Sequence, residues 1–399
     1  MITVPLVLVI AIAVVVAILG VLAGSVVTRR RLVGRGGPTS LRRAVHTDTS
    51  TIEIGGNRTG RRAAVIMNPT KRDAKQLRAT VEAICRQEGW QDPLWLETTV
   101  DDPGGGQTRE ALEAGVDVVI AAGGDGTVRV VAEQLAGTDV ALGLLPLGTG
   151  NLLARNLDVT VDRHEWAIRT ALWGQNRRID VGLAKLDGGT GEPGGTGDPA
   201  HVFLVLAGIG FDATVMAGTR SDLKQIVGWW AYLEAGMRNL GGPRTKVELR
   251  LDDGEPMSRK IRTVLGGNCA RLPGGIDLMP DAKIDDGILD VMAVSPPGYF
   301  GWVGVAARVL FRTRRGLPVV EHYQGAKVVI DAEQPLDVQL DGDMIGSTST
   351  LTMQVEPGAL LVRVPTPEQR RQMRLDMWPN LGTLGPRPAP KSTPATSRQ

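Results

Sequence analysis

The apolar positions fall into two textures. Between Ala63 and Leu157, short solid apolar runs alternate with segments whose apolar residues recur every three or four positions. Ala63–Met67 is an unbroken run ending at Asn68-Pro69 and predicts a buried strand. Lys75–Gln87 puts Leu77, Val81 and Ile84 on one helical face. A strand over Leu94–Thr99 and a helix over Arg109–Ala114 follow, then a strand over Val118–Ala122 and a helix over Val128–Leu135. Val140–Leu145 predicts another strand, and Leu152, Leu153 and Leu157 mark the next helix. Strands alternating with helices predict a parallel, doubly wound sheet.

From Ile179 the runs shorten, and many alternate apolar and polar residues between Gly, Pro, Asp or Asn. Strands are expected at Ile179–Gly182, Val202–Leu206, Lys246–Leu251, Ile261–Leu265, Ile288–Val294, Ala326–Ile330, Leu336–Leu340, Leu351–Val355 and Leu360–Val364. This is the pattern of an antiparallel β-sandwich. Asp187–Pro199 reads as a glycine-rich hairpin insertion, and Asp222–Leu240 as a helix. Tyr299–Phe311 reads as a core helix with a solvated basic end, a membrane-facing surface being the alternative.

The ends differ again. Met1–Val27 carries no charged residue, and Leu6–Leu22 is long enough for one crossing of about 20 residues. Arg29, Arg30, Arg31, Arg35, Arg42 and Arg43 follow it. The pattern predicts a single-pass transmembrane anchor in the cell membrane with the main body in the cytoplasm, and favours this over a cleaved signal peptide. The arginines would lie near an anionic membrane surface. The expected fold class is thus α/β with an N-terminal transmembrane helix, a doubly wound parallel-sheet domain and an antiparallel β-sandwich domain. The expected divisions are an anchor at 1–28, a basic flexible linker at 29–60, the α/β domain at 61–178, the sandwich at 179–365, and a C-terminal helix with a disordered tail at 366–399.

Composition narrows the chemistry. The chain has 399 residues, 22% of them charged, and a net charge of +2, which gives no reason to expect a nucleic acid partner. Two distant cysteines and four scattered histidines argue against a disulfide framework or a zinc site. Oligomeric state stays open, a homodimer included.

Gly123-Gly124-Asp125-Gly126-Thr127 lies between the Val118 strand and the Val128 helix. Strand, glycine turn and helix present backbone N–H groups and a helix N-terminus to a phosphate. Asp125 makes sense there beside a metal ion or a proton to be moved. The next strand ends in Pro146-Leu147-Gly148-Thr149-Gly150-Asn151. No GxxxxGK[ST] and no GxGxxG at a strand–helix junction is present. One glycine turn alone would be an ordinary connection; two on successive strands favour a phosphate site. Asn68, Pro69, Thr98 and Thr99 would share the same edge, where such sheets bind ligands.

Asn68-Pro69, GGDGT at Gly123–Thr127 and LPLGTGN at Leu145–Asn151 together resemble the diacylglycerol kinase catalytic domain family, which includes bacterial lipid kinases, sphingosine kinases and ceramide kinases. Gly208–Ala213, Asn268–Asp290 and Leu340–Asp343 resemble its later motifs, so the likeness spans roughly Arg61 to Pro365 by motif matching. The resemblance implies ATP and Mg2+ as cofactors and a membrane lipid hydroxyl as acceptor, diacylglycerol before sphingoid bases or other lipid alcohols. It implies a structural magnesium held by Asp286 with the carbonyls of Lys283 and Ile288. It makes Asp341 or Asp343 the proton acceptor, in a motif whose third position is usually Glu, and Asp125 the organiser of the nucleotide's metal. It also implies that the C-terminus packs back on the first domain. Leu152 stands where several relatives carry Asp. An NAD kinase-like enzyme and a non-catalytic nucleotide-binding module are the rival readings.

Overall fold

A computed structural model describes residues 60–70, 74–187, 200–210, 244–269, 271–272, 276–295 and 320–377. The expected anchor, the linker up to residue 59 and the C-terminal tail lie outside these residues, as do residues 188–199 of the expected insertion and the helices at 222–240 and 299–311. The single-pass membrane placement, with its cytoplasmic body, is corrected here. Among the described residues no helix is long and apolar enough to cross a membrane, so no transmembrane element belongs to the architecture described.

Residues 58–399 form one unit. Its first part follows the expected alternation: β1 (Ala63–Met67), α1 (Ala74–Gln87), β2 (Leu94–Glu97), α2 (Gly105–Glu113), β3 (Val118–Gly123), α3 (Asp125–Leu135), β4 (Ala141–Pro146) and α4 (Leu152–Asn156). The strands pair in parallel in the order β2-β1-β3-β4, with Val65 opposite Ile120 and Ile120 opposite Gly143. Every residue of β1, β3 and β4 is buried, which is why they read as unbroken apolar runs. A further helix, α5 (His164–Trp173), buries Ala167, Ile168, Thr170, Ala171 and Leu172. It presses so closely on β4 that a Cβ at Gly143 would lie 2.6 Å from that of Ala171.

The second part is built from β5 (Gln175–Asp187), β6 (His201–Phe203), β7 (Leu206–Ile209), β8 (Thr245–Leu251), β9 (Met257–Ile261), β10 (Thr263–Gly267), β11 (Arg271–Leu272), β12 (Ile276–Asp277), β13 (Leu289–Val294), β14 (Val320–Gly325), β15 (Lys327–Leu340) and β16 (Asp343–Val364). Pairing is antiparallel throughout this part, as expected of the sandwich. Four expected short strands fuse into two long ones. β15 spans a register shift between Asp331 and Leu336, and β16 spans one between Glu356 and Leu360. Conversely, the expected Val202–Leu206 strand breaks at Leu204-Val205 into β6 and β7. β16 also pairs in parallel with β4, Val362 opposite Leu142, so the sheet runs on from one part to the other.

α6 (Pro367–Met377) returns to α5, where the Trp166 indole donates to Asp376 Oδ2 at 3.0 Å and Gln369 Nε2 donates to the Arg169 carbonyl at 3.3 Å. One buried cluster lies between the first sheet and its helices and takes in Leu360, Val362 and Val364 of β16. A second, with Phe203, Leu249, Val291, Ile330 and Leu351, fills the sandwich.

Candidate active site

α3 begins at Asp125, so the glycine turn is also its first turn, with Gly124 as an extended N-cap (φ −94°). The first N–H groups of a helix have no intrahelical partner and carry its positive end. The second turn packs directly on the first. Leu147 N–H donates to the Gly123 carbonyl at 2.9 Å, and a Cβ at Gly148 would lie 2.6 Å from Gly124 Cα. These glycines are required for backbone to meet backbone. Asn151 sits in the left-handed region (φ 47°), where its Oδ1 accepts Gly148 N–H at 3.0 Å and its Nδ2 donates to the Gly148 carbonyl at 2.7 Å. Arg155 Nε donates to the Gly150 carbonyl at 2.8 Å.

Asp125 ties the two turns together. Its Oδ2 accepts Asn151 N–H at 2.8 Å and its Oδ1 accepts Leu152 N–H at 2.5 Å. A Cβ at Gly150 would lie 2.5 Å from Oδ2, so glycine is needed there as well. Burial pushes the Asp125 carboxyl up to about 6; the Leu152 and Asn151 N–H groups act against this, and nearby Asp341 adds to it. Each carboxylate oxygen thus takes one backbone N–H, so the carboxylate is fixed in place between the two turns.

The structure separates Asp341 from Asp343. Asp341 is buried and in the left-handed region (φ 49°). Its Oδ2 accepts Leu204 N–H at 2.9 Å, and its Oδ1 accepts Val205 and Leu206 N–H at 2.8 and 3.0 Å. It therefore holds the break between β6 and β7. Burial lifts its carboxyl above the ordinary carboxylate range, with the three N–H groups and the Arg129 charge opposing. Asp343 is 55% exposed in its side chain and stands beside the first turn of α3: a Cβ at Gly126 would lie 3.3 Å from its Oδ2. Arg129 Nη2 is 3.5 Å from the same oxygen.

The remaining expected residues divide. Asn68 Oδ1 accepts the N–H and hydroxyl of Thr70 at 2.9 and 2.7 Å, shaping the turn after β1, and Pro69 is exposed. Thr98 N–H donates to the Met67 carbonyl, so Thr98 lies beside the end of β1, and Thr99 Oγ1 accepts Asp102 N–H at 3.0 Å. Thr127 packs against Gly123, where a Cβ would lie 2.6 Å from its own Cβ. Gly124, Gly126, Gly148, Gly150, Asn151, Asp125 and Asp343 are thus brought together, with Thr149 in the same loop.

Asp286 lies elsewhere. It is exposed, and its Oδ1 accepts Ile288 N–H at 3.2 Å. Nearby, Asp180, which the sequence reading passed over, holds Gly287 N–H at 2.6 Å and Gly358 N–H at 2.7 Å. Gly137, before β4, donates to the Ala359 carbonyl, so this turn sits by the start of β4 while the Gly148–Asn151 turn follows its end. One carboxylate with turn carbonyls is an oxygen donor set that fits a hard divalent ion. Asp290 Oδ2 is buried without a hydrogen-bond partner among the described residues; burial, then Asp286 and Asp281, raise the Asp290 carboxyl, with the Gln324 hydrogen bond and Lys283 opposing. No group of three or more His, Cys, Asp or Glu side chains is set to hold a metal among the described residues.

A glycine-lined helix N-terminus at the sheet's carboxyl edge, a second loop locked to it and an exposed carboxylate at its side suit a phosphoryl-transfer class of site. Residues 62–184 match the diacylglycerol kinase catalytic domain, and residues 205–364 match the YegS C-terminal NAD kinase beta sandwich-like domain. The chain is 33% identical over 310 residues to a Pseudomonas fluorescens protein named "Probable lipid kinase YegS-like", covering 76% of this chain and 96% of that one. A Pseudomonas syringae pv. tomato protein of the same name is 34% identical over 318 residues, with 77% and 94% covered. A solved diacylglycerol kinase from Bacillus anthracis str. Sterne has the same fold, with a TM-score of 0.60 at 22% identity, covering 78% of this chain and 99% of that one. The chain belongs to the YegS-like lipid kinase family and is a kinase, and that family implies ATP as phosphoryl donor.

Proposed function

We propose that this kinase transfers the γ-phosphoryl group of ATP to the hydroxyl of a membrane lipid, with diacylglycerol as acceptor and phosphatidic acid as product. The observation that carries the reading is Asp343: an exposed carboxylate beside the N-terminal turn of α3, where the two glycine turns meet. The first-turn N–H groups of α3 receive the phosphate oxygens, and the Gly148–Asn151 loop lines the seat from the other side. Asp343 accepts the proton of the lipid hydroxyl as its oxygen bonds to the γ-phosphorus, and the bond from that phosphorus to the β–γ bridging oxygen breaks to release ADP. Phosphoryl transfer asks the protein mainly for positioning and charge stabilisation, which this constellation suits. Mg2+ bound with the nucleotide would neutralise phosphate charge, and Asp286 with the Lys283 and Ile288 carbonyls would hold a second, structural ion. Asp341 and Asp125 serve as struts, since the oxygens of both are engaged by backbone N–H groups.

The test is incubation of the purified protein with labelled ATP and a panel of diacylglycerol, sphingosine, ceramide and NAD. Label in phosphatidic acid supports the proposal. Label in sphingosine or ceramide moves the acceptor to another lipid alcohol, and label in NAD or in none of the panel refutes lipid phosphorylation.

A further inference from the structure

We propose that Arg129 is a positioning residue for Asp343, holding its carboxylate beside the phosphate seat and off it. The inference rests on Asp343 as the proton acceptor. Arg129 lies on α3 one turn beyond Gly126, with its side chain 17% exposed and Nη2 3.5 Å from Asp343 Oδ2. Its Nε is buried without a hydrogen-bond partner among the described residues. A guanidinium this enclosed, with a donor unspent, is placed by the fold and not by solvent. Asp341, which feels the Arg129 charge, is engaged by backbone through both oxygens, so Asp343 is the carboxylate left for Arg129 to pair with.

Asp343 needs such a partner. It is 55% exposed, and its Oδ2 already lies within contact of where a Gly126 Cβ would stand. The free N–H groups and positive end of α3 attract any nearby anion. An unrestrained aspartate would settle on them and occupy the place the phosphate must take. Pulled toward the next turn of the same helix, the carboxylate stays clear of that place and keeps a fixed distance from the incoming hydroxyl. Aspartate has little spare reach, so a shift of an ångström at this group is felt in the transfer step.

The test is steady-state phosphorylation of the lipid that the panel identifies, in mixed micelles, by the full chain and its R129A, R129K, D343N and R129A/D343N variants. R129A is expected to lose about 10- to 100-fold in kcat, with KM for ATP unchanged within about twofold. R129K restores part of the loss, and R129A causes no further loss in the D343N background. Melting temperatures accompany each variant; should R129A not fold, R129K and R129Q carry the same comparison. A raised KM for ATP at unchanged kcat would make Arg129 a phosphate contact and overturn the proposal, as would losses that multiply in the double variant. If D343N turns over like wild type, the proton-acceptor reading itself fails and this proposal falls with it. An inactive D343N beside a fully active R129A refutes only the positioning role.

Discussion

Asp125→Asn removes one charge while keeping the shape of the side chain. In the native protein the two carboxylate oxygens accept Asn151 and Leu152 N–H at 2.8 and 2.5 Å. The amide can accept one of these, but its NH2 then faces the other donor. Hydrogen bonds to a charged acceptor contribute about 1.5–3 kcal/mol each, so the lock between the loops weakens by about that amount. Desolvation of the ionised carboxylate works the other way, since burial moves the carboxyl from 3.8 to about 6. Across that interval the folded protein holds a proton that the unfolded chain has released. Stability of the wild type relative to D125N is therefore greatest below about pH 4, falls as pH rises through about 6, and is level above that. A shift of about two units corresponds to about 3 kcal/mol across the window. Urea unfolding of both proteins at intervals from about pH 4 to pH 8 reads this directly. A stability difference that stays constant with pH would refute the upward shift that burial gives this carboxyl.

Asp341→Ala leaves the Leu204, Val205 and Leu206 N–H groups without their acceptor, and is expected to cost at least about 3 kcal/mol in urea unfolding. Gly148→Ala drives a Cβ to 2.6 Å from Gly124 Cα; it should cost about 1–3 kcal/mol and lower ATP affinity, measured by calorimetric titration. Asp180→Ala frees Gly287 and Gly358 N–H; it should lower the urea midpoint by about 1–3 kcal/mol of stability while leaving KM for ATP near wild type.

The first sheet was legible because parallel strands buried on both faces must be solid apolar runs, and β1, β3 and β4 are. α5 escaped notice: its N-cap, Arg163, makes no side-chain capping bond, so no start signal precedes the helix. The long strands were divided because Pro335, Pro357 and Gly358 read as strand ends, whereas the register shifts in β15 and β16 absorb them. The pairing of the two glycine turns could be read from their places at the ends of successive strands. The work of Asp125 could not, because its partners, Asn151 and Leu152, lie across a strand and a helix. Asp341 and Asp343 stand two residues apart in one motif, and only the distant Leu204–Leu206 backbone tells them apart. Arg129 sits in an amphipathic helix where a charge reads as solvent-facing, yet its guanidinium points toward β16.

The most direct test of the central claim compares wild type with Asp343→Asn, measuring ATP affinity by calorimetry and transfer to the lipid by product mass spectrometry. The account predicts unchanged ATP affinity within about threefold and a fall in transfer of at least about 100-fold, the range for loss of a general base. Transfer by D343N at the wild-type rate would contradict it.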